Sequence, residues 1–203
     1  MKIICIGRNY ADHAKELNND IPEEPLFFMK PDTALLQEGN PFYIPEFTNE
    51  VHHELEIVLK ISKVGKHIEE KFAHKYYQQI GLGIDFTARD VQRVCKEKGL
   101  PWEKAKAFDG SAPLGQFVDK ETLGDLSKLS FQLEKNGELV QQGDTSLMLF
   151  PFDQLIAHIS KYVTLKTGDL IYTGTPAGVG PVQIGDVLVG YLGDEKMIEV
   201  PIK

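Results

Sequence analysis

Apolar and polar positions along the chain mostly follow the spacing of β-strands. Residues 2–6 contain a short apolar run of four residues at 3–6, residues 51–61 alternate between apolar and polar side chains, and residues 80–86 form a second, largely apolar run with two glycines. Alternation indicates a half-buried strand, and a short continuous apolar run indicates a buried one. We therefore predict three strands in the first half of the chain.

The second half of the chain is also rich in predicted strands. Two of them flank Asn136-Gly137, a dipeptide that is typical of a tight hairpin turn. The predicted strands are residues 128–134, 138–142 and 169–173, followed by two glycine-bounded strands within 186–202. The chain is therefore expected to be built mainly from strands.

Two helices are predicted near the two ends of the chain. The first extends from about Tyr10 to Asn18, because Asn9 is suited to cap it and Asp12 follows three positions later. The other covers residues 153–162, where apolar side chains recur at helical spacing.

A further helix is predicted at residues 88–98. The sequence TARD at its start resembles a capping box, and Gly99 followed by Pro101 is expected to end it. Its apolar face is expected to consist of Val91, Val94 and Cys95. The charged stretch between residues 61 and 80 is also predicted to be helical.

Residues 21–45 contain five of the eleven prolines and are predicted to be irregular, extended backbone. Leu26, Phe27 and Phe28 lie in this stretch and need burial, so it does not resemble a linker. The fold class that follows is α+β and predominantly β, with one domain over residues 1–203 and long, partly antiparallel sheets.

Composition and charge restrict the function. The chain has 42% hydrophobic and 26% charged residues, as ordinary globular proteins have. Its formal net charge is −8 and it has no long Lys/Arg block, which argues against nucleic acid as a partner. An anionic substrate would therefore need a local positive centre, such as a bound cation.

Cysteine usage and hydropathy predict a cytoplasmic protein. Cys5 and Cys95 lack metal-like spacing and are expected to be buried free thiols. No apolar stretch approaches the roughly 18 residues of a membrane span, and the short apolar run before Gly7 is too short for a signal peptide.

The sequence HHELEI at residues 52–57 is a candidate metal site. Glu54 and Glu56 are two residues apart on a predicted strand, so their side chains share a face with Cα atoms roughly 7 Å apart. Asp85 follows an apolar run, where an unpaired carboxylate would be costly to bury. Three oxygen ligands favour Mg²⁺ or Mn²⁺ over zinc. The alternative interpretation is a solvated polar strand face.

Several other polar residues are candidates for chemistry. His13 and Glu16 are three positions apart on the first helix, and such a pair can form a general base; the alternative is a surface pair of little energetic weight. Lys106 is expected in a loop, where it could neutralise an enolate oxygen or be an ordinary surface lysine. Arg89 and Gln92 follow Asp85 closely and could reach the same cleft or be simply exposed.

The glycine-rich residues 173–181 could present backbone N–H groups to an anion. They lack the Lys-Ser/Thr ending of a P-loop and the dinucleotide fingerprint, so we exclude nucleotide binding; a purely structural loop remains the alternative. The histidines other than His13 show no metal-like spacing and are interpreted as structural. His52, which shares the face of Glu54, is a candidate to support a metal ligand.

Five motifs occur in a fixed order: GRNYADH, HHELEI, GIDFTARDVQ, GLPWEKAKAFDGSAP and TGTPAGVGPV. In this order the chain resembles the fumarylacetoacetate hydrolase family, in particular its short, single-domain acylpyruvase and oxaloacetate decarboxylase type. The likeness extends from about Ile3 to Ile202. Five motifs in order are far more specific than any one of them.

The resemblance implies a mixed β-sandwich roll with short peripheral helices, a homodimer, and a bound Mg²⁺ or Mn²⁺. It also assigns roles to individual residues. It implies metal ligands at Glu54, Glu56 and Asp85, a water-activating pair at His13 and Glu16, and substrate contacts at Arg89, Gln92, Lys106 and Thr175.

These expectations point to an enzyme that acts on a small 2-oxo acid through a metal-held enolate. The favoured reaction is hydrolysis of a carbon–carbon bond in an acylpyruvate, because His13 and Glu16 could activate water and Lys106 could hold the expelled enolate. The alternatives are decarboxylation of oxaloacetate and isomerisation of an unsaturated 2-hydroxy diacid. A non-enzymatic alternative is an acidic module that binds Ca²⁺.

Overall fold

A computed structural model describes residues 1–17 and 20–203 of the chain. Strands form most of its regular structure. The strands are β1 (Ile3–Gly7), β2 (Leu26–Lys30), β3 (Leu35–Gln37), β4 (Val51–His53), β5 (Leu55–Ile61), β6 (Tyr77–Ile84), β7 (Thr87–Ala88), β8 (Ala112–Asp119), β9 (Ser130–Lys135), β10 (Glu138–Asp144), β11 (Leu170–Tyr172), β12 (Gly180–Pro181), β13 (Val187–Leu192) and β14 (Glu195–Pro201). The α-helices are α1 (Ala11–Glu16), α2 (Glu70–Ala73), α3 (Arg89–Lys98), α4 (Glu103–Lys106) and α5 (Phe152–Tyr162).

The strands form three sheets. A seven-stranded sheet has the order β2-β1-β11-β5-β6-β8-β3, a four-stranded sheet has the order β10-β9-β13-β14, and a small sheet has the order β12-β4-β7. β1 pairs with β11 and β3 with β8 in parallel, and the other pairs are antiparallel. The predicted mixed, predominantly β roll with short helices is therefore confirmed.

The seven-stranded sheet buries both of its faces. Along β1, Ile4 and Ile6 belong to the main core cluster, whereas Ile3 and Cys5 belong to a second cluster on the opposite face. Successive side chains of a strand point to opposite faces, which is why this strand is apolar at every position. Cys5 and Cys95 are buried free thiols, as predicted.

The four-stranded sheet packs closely against the seven-stranded one at Gly115. A Cβ atom at this position would lie 2.1 Å from the carbonyl oxygen of Met197 in β14. A glycine within a strand commonly marks such an approach of two backbones. The absence of a side chain in β8 thus lets the two sheets meet.

The prediction of irregular backbone over residues 21–45 is wrong in part. β2 pairs antiparallel with β1, from Lys30 opposite Ile3 to Leu26 opposite Gly7. Pro25 and Pro31 lie just outside the ends of β2, where the missing N–H groups leave the ladder intact, and β2 is an edge strand. The same stretch supplies β3, and β8 was not predicted at all.

The single strand predicted at residues 51–61 is two strands that separate at Glu54. β4 pairs with β12 and β7 in the small sheet, whereas β5 pairs with β11 and β6 in the large one. The alternating pattern continues through the break, so the sequence carries no sign of the change of sheet.

The helices agree with the predictions in position more than in length. α3 ends at Gly99, whose φ of 62° is left-handed, and α5 matches the predicted C-terminal helix. α1 has six residues, and the predicted end at Asn18 lies outside the described residues. Between residues 61 and 80 only the four residues of α2 are α-helical.

Both predicted helix caps are wrong. The side chain of Asn9 caps no helix; its Nδ2 donates to the carbonyl oxygens of Phe150 and Thr173, at 3.1 and 2.8 Å. The Thr87 hydroxyl donates to the carbonyl of Asp85, 3.3 Å away, and α3 has no side-chain cap. These side chains form long-range or local bonds that spacing alone does not distinguish from caps.

None of the described helices is long and apolar enough to cross a membrane. The cytoplasmic location stays a prediction.

Candidate active site

Three buried carboxylates meet where β5 and β6 run side by side. Glu54 lies at the break before β5, Glu56 is the second residue of β5, and Asp85 follows the last residue of β6. The three residues are at most 4% exposed, and one oxygen from each lies within 4.8 Å of the others. Because the Asp85 N–H donates to the Glu54 carbonyl at 2.8 Å, the antiparallel register itself sets Asp85 opposite Glu54.

Three cationic side chains surround these carboxylates. The Glu54 Oε1 atom accepts from the Arg89 Nη2 group at 2.5 Å, and its Oε2 atom accepts from Lys106 Nζ at 2.7 Å. Lys106 Nζ also donates to Asp85 Oδ2 at 2.7 Å, and Lys30 Nζ lies 2.7 Å from Asp85 Oδ1. Arg89 and Lys106 thus reach the carboxylates as expected, although Lys106 belongs to α4 rather than to a loop.

The carboxylates differ in how far nearby positive charges offset the cost of burying them. Burial acts to raise the pKa of Glu54, but the positive charges of Lys106 and Arg89 outweigh it and hold that pKa well below its usual value. Burial and the charge of Asp85 raise the pKa of Glu56 well above its usual value, against one backbone hydrogen bond from Gly174 at 2.7 Å. Glu56 is therefore the carboxylate with the greatest need of a further positive charge.

The donor set fits a hard divalent cation. Asp85 Oδ1 is buried, and although Lys30 Nζ lies 2.7 Å away as an ion-pair partner, this oxygen accepts no well-directed hydrogen bond from the described residues. A buried acceptor without a donor is costly unless another group compensates it. Oxygen-only ligands are those preferred by Mg²⁺ and Mn²⁺.

His13 and Glu16 form the predicted pair on α1. The His13 Nδ1 atom lies 3.2 Å from Glu16 Oε2, so a proton on Nδ1 donates to the carboxylate and leaves Nε2 as the acceptor. Burial lowers the pKa of His13 below its usual value, although Glu54 and Glu16 act in the opposite direction. The ring is therefore neutral near pH 7 and able to accept a proton.

Backbone N–H groups of the glycine-rich residues 173–181 donate hydrogen bonds to carboxylates of the chain itself. Gly174 N–H donates to Glu56, and Gly178 N–H donates to Glu16 at 3.1 Å. These N–H groups therefore bond to carboxylates of the chain itself, and contact with a bound anion stays a prediction.

One cavity collects nearly all of the predicted site residues. Eight of the nine line it, and Glu16 contacts His13 from outside the lining. The eight are His13, Glu54, Glu56, Asp85, Arg89, Gln92, Lys106 and Thr175. The site residues named from the sequence are thus brought together from five separate segments of the chain.

The predicted apolar face of α3 is right for Cys95, which is buried, and wrong for Val94. α3 buries Arg89, Gln92 and Cys95, while Val94 is 43% exposed. Arg89 Nη1 donates to Gln92 Oε1 at 2.7 Å, so the buried face is a polar one that lines the cavity. His52 lies behind Arg89, whose Nε group donates to His52 Nδ1 at 3.4 Å.

Two supporting residues were not found from the sequence. Gln141 accepts a hydrogen bond from the Leu55 N–H at 3.0 Å and donates one to Thr175 Oγ1 at 2.9 Å. It therefore connects β5 with the glycine-rich stretch. Lys30 donates to Ser111 O and Ser111 Oγ, both at 2.9 Å. Lys30 ends the apolar run LFFMK, which was a usable signal; no pattern marks Gln141.

The sequence and the fold are similar to those of known proteins. The family model described as fumarylacetoacetate (FAA) hydrolase C-terminal matches residues 2–201. The mitochondrial oxaloacetate tautomerase FAHD1 of Homo sapiens is 47% identical over 184 residues, which cover 91% of this chain and 83% of the human protein. The oxaloacetate tautomerase YcgM of Escherichia coli (strain K12) is 46% identical over 188 residues, which cover 92% of this chain and 86% of the bacterial protein.

One solved structure has a similar fold over the whole length of this chain. The crystal structure of fumarylpyruvate hydrolase from Pseudomonas aeruginosa in complex with Mn²⁺ and pyruvate has a TM-score of 0.93 and 34% sequence identity. The match covers 100% of this chain and 89% of the other.

Lys30→Met should destabilise the protein, because it removes a fully buried cation that lies beside Asp85. Loss of one partner from a buried ion pair typically costs about 3–5 kcal/mol, so we expect a loss of about 3 kcal/mol in urea unfolding. Lys60→Met is the matched control, since Lys60 is half-buried in β5 and its Nζ donates to Gln79 at 3.1 Å. Equal losses in the two variants would contradict this role of Lys30.

Proposed function

Since this chain belongs to the fumarylacetoacetate hydrolase family, we propose that it is a divalent-metal-dependent enzyme that interconverts the keto and enol forms of oxaloacetate or a close 2-oxo diacid. The observation that carries the proposal is the meeting of three buried carboxylates in a cavity that also presents several cationic side chains. Two relatives of 46–47% identity are oxaloacetate tautomerases, which favours this reaction over the hydrolysis expected from the sequence.

The proposed metal is Mg²⁺ or Mn²⁺, held by Glu54, Glu56 and Asp85. When bound, such an ion supplies Lewis-acid stabilisation of negative charge on the 2-oxygen of a 2-oxo acid. Oxygen ligands and the raised pKa of Glu56 support this choice, because a nearby cation favours the charged carboxylate.

The interconversion moves one proton between carbon C3 and the 2-oxygen. We assign removal of the C3 proton to Nε2 of neutral His13, with Glu16 holding the ring; the C3–H electron pair then forms the C2–C3 double bond as the C2–O π pair moves to the 2-oxygen. The proton taken up by His13 is passed on to that oxygen, which completes the enol and returns His13 to its neutral form. The Nζ group of Lys106 donates to the oxygen that becomes negative. Arg89 and Gln92, which are hydrogen-bonded to each other, orient the adjacent carboxylate.

Hydrolysis of an acylpyruvate is the second candidate. The His13–Glu16 contact at 3.2 Å favours it, since the same pair could take a proton from water as the water oxygen attacks the C4 carbonyl. Breaking the C3–C4 bond would then release a pyruvate enolate. The similarity to the fumarylpyruvate hydrolase also supports this candidate, although its sequence identity of 34% is lower than that of the two tautomerases. Membership of an enzyme family argues against a Ca²⁺-binding module without activity.

Glu56→Gln should abolish metal-dependent turnover while the protein stays folded, because the substitution keeps the shape of the side chain but removes the charge. Turnover is measured as the decay of enol-oxaloacetate absorbance with added Mg²⁺ or Mn²⁺, and bound metal is measured by elemental analysis. Glu138→Gln is the control, as Glu138 is exposed in β10, away from the cavity. Full activity of Glu56→Gln, or of the unaltered protein in excess EDTA, would refute the metal site.

His13→Ala should separate proton transfer from decarboxylation. Loss of a general base typically lowers the rate by about 100- to 10,000-fold, and we expect this loss for keto–enol interconversion and for acylpyruvate hydrolysis. Loss of CO₂ from oxaloacetate needs no base, so decarboxylation should survive far better. Both reactions are to be measured on one preparation with metal content checked. Equal losses at full metal occupancy would show that His13 positions the substrate instead.

We also propose that the chain acts as a homodimer, which rests on the family resemblance. Sedimentation velocity at micromolar concentration should show a dimer. A stable monomer under these conditions would contradict it.

A further inference from the structure

Two cationic side chains of the cavity have no carboxylate partner among the described residues. Arg8, Lys96, Arg89 and Lys106 all line the cavity, but only Arg89 and Lys106 are paired with its carboxylates. The two residues outside the described ranges are both asparagines, which carry no charge. Four cations therefore face three carboxylates, and a bound divalent metal would increase the positive excess.

The backbone fixes where Arg8 starts. Its φ of 58° is in the left-handed region, which is strained for a non-glycine residue and persists only where the surroundings enforce it. Gly7, before it, is the last residue of β1, and Asn9, after it, is fully buried with its side chain bonded to Phe150 and Thr173. Strain of this kind is concentrated at ligand-binding positions, and here it places a guanidinium group in the cavity wall.

Lys96 extends the polar face of α3 by one more turn. It follows Arg89 and Gln92 at helical spacing, so all three side chains lie along one side of the helix. Its Nζ atom is 5.9 Å from the ring centroid of Trp102, which also lines the cavity. Lys96 is an exposed residue; partial burial lowers its pKa, and the positive charges of Arg89 and Arg8 lower it further, against the negative charge of Glu54.

We propose that Arg8 and Lys96 bind the distal carboxylate of a 2-oxo diacid and so select dicarboxylates over monocarboxylates. The inference rests on the proposed function, in which the metal site and Arg89 hold the 2-oxo acid end of the substrate. A guanidinium group binds a carboxylate through two parallel hydrogen bonds, and an ammonium group adds a charge-assisted one. An apolar tail in this position would gain none of these charge-assisted hydrogen bonds.

Trp102 provides a direct measure of binding. It is the only tryptophan of the chain, and it lines the cavity beside Lys96, so tryptophan fluorescence reports occupancy of this site without turnover. The probes are malate and 2-hydroxybutyrate, added to the Mg²⁺-loaded protein. Both have four carbons and the same 2-hydroxy acid end, and they differ only in a distal carboxylate or methyl group.

The unaltered protein should bind malate about tenfold or more tightly than 2-hydroxybutyrate, as charge-assisted hydrogen bonds are worth about 1.5–3 kcal/mol. Lys96→Met and Arg8→Gln should each raise the Kd of malate about tenfold and leave that of 2-hydroxybutyrate within about twofold. Lys96→Arg should restore malate binding. Lys98→Met is the matched control, since it removes the same charge from the exposed end of α3 and should change neither Kd.

Three results would overturn the inference. The first is equal affinity of the unaltered protein for the two probes, including no measurable binding of either. The others are an equal loss of affinity for both probes in the Arg8 and Lys96 variants, and a loss of malate affinity in Lys98→Met as large as that in Lys96→Met. The test is independent of the reaction. A malate preference that depends on Arg8 and Lys96, in a protein that does not interconvert keto- and enol-oxaloacetate, would refute the proposed function and leave the carboxylate site standing.

Discussion

The burial of three carboxylates in one place is the constraint on which the rest of the site depends. Charged groups are costly to remove from water, and Glu54, Glu56 and Asp85 repel one another as well. The structure offsets this with charged hydrogen bonds from Arg89 and Lys106 at 2.5–2.7 Å. The compensation is uneven, because Glu56 accepts a backbone hydrogen bond from Gly174 but forms no ion pair with the described residues.

The fold supplies this compensation from distant parts of the chain. The change of sheet at Glu54 separates it from the regular ladder, and the β5–β6 register sets Asp85 opposite. β2, at the edge of the large sheet, brings in Lys30, and α3 and α4 bring in Arg89 and Lys106. Carboxylates and cations therefore stabilise each other only in the assembled fold, as neither set would be tolerated if buried alone.

The charge distribution is also compatible with the proposed anionic substrate, although the protein as a whole is acidic. The net charge of −8 belongs to the molecule as a whole, whereas the cavity has more cationic than anionic side chains. Local charges dominate within a Debye length of about 8 Å at physiological ionic strength. An anion that reaches the cavity mouth therefore meets a positive field, and a diacid gains more from it than a monoacid.

The sequence by itself determined the fold class and nearly all of the side chains that meet at the candidate site. Period-two alternation and motif spacing depend on neighbours along the chain, so HHELEI and Asp85 could be recognised directly. Tertiary structure alone decided the change of sheet at Glu54, the pairing of β2 with β1, and the polar buried face of α3. It also decided the roles of Lys30, Gln141, Arg8 and Lys96. These side chains act through partners that are remote in sequence, and local pattern carries no information about such partners.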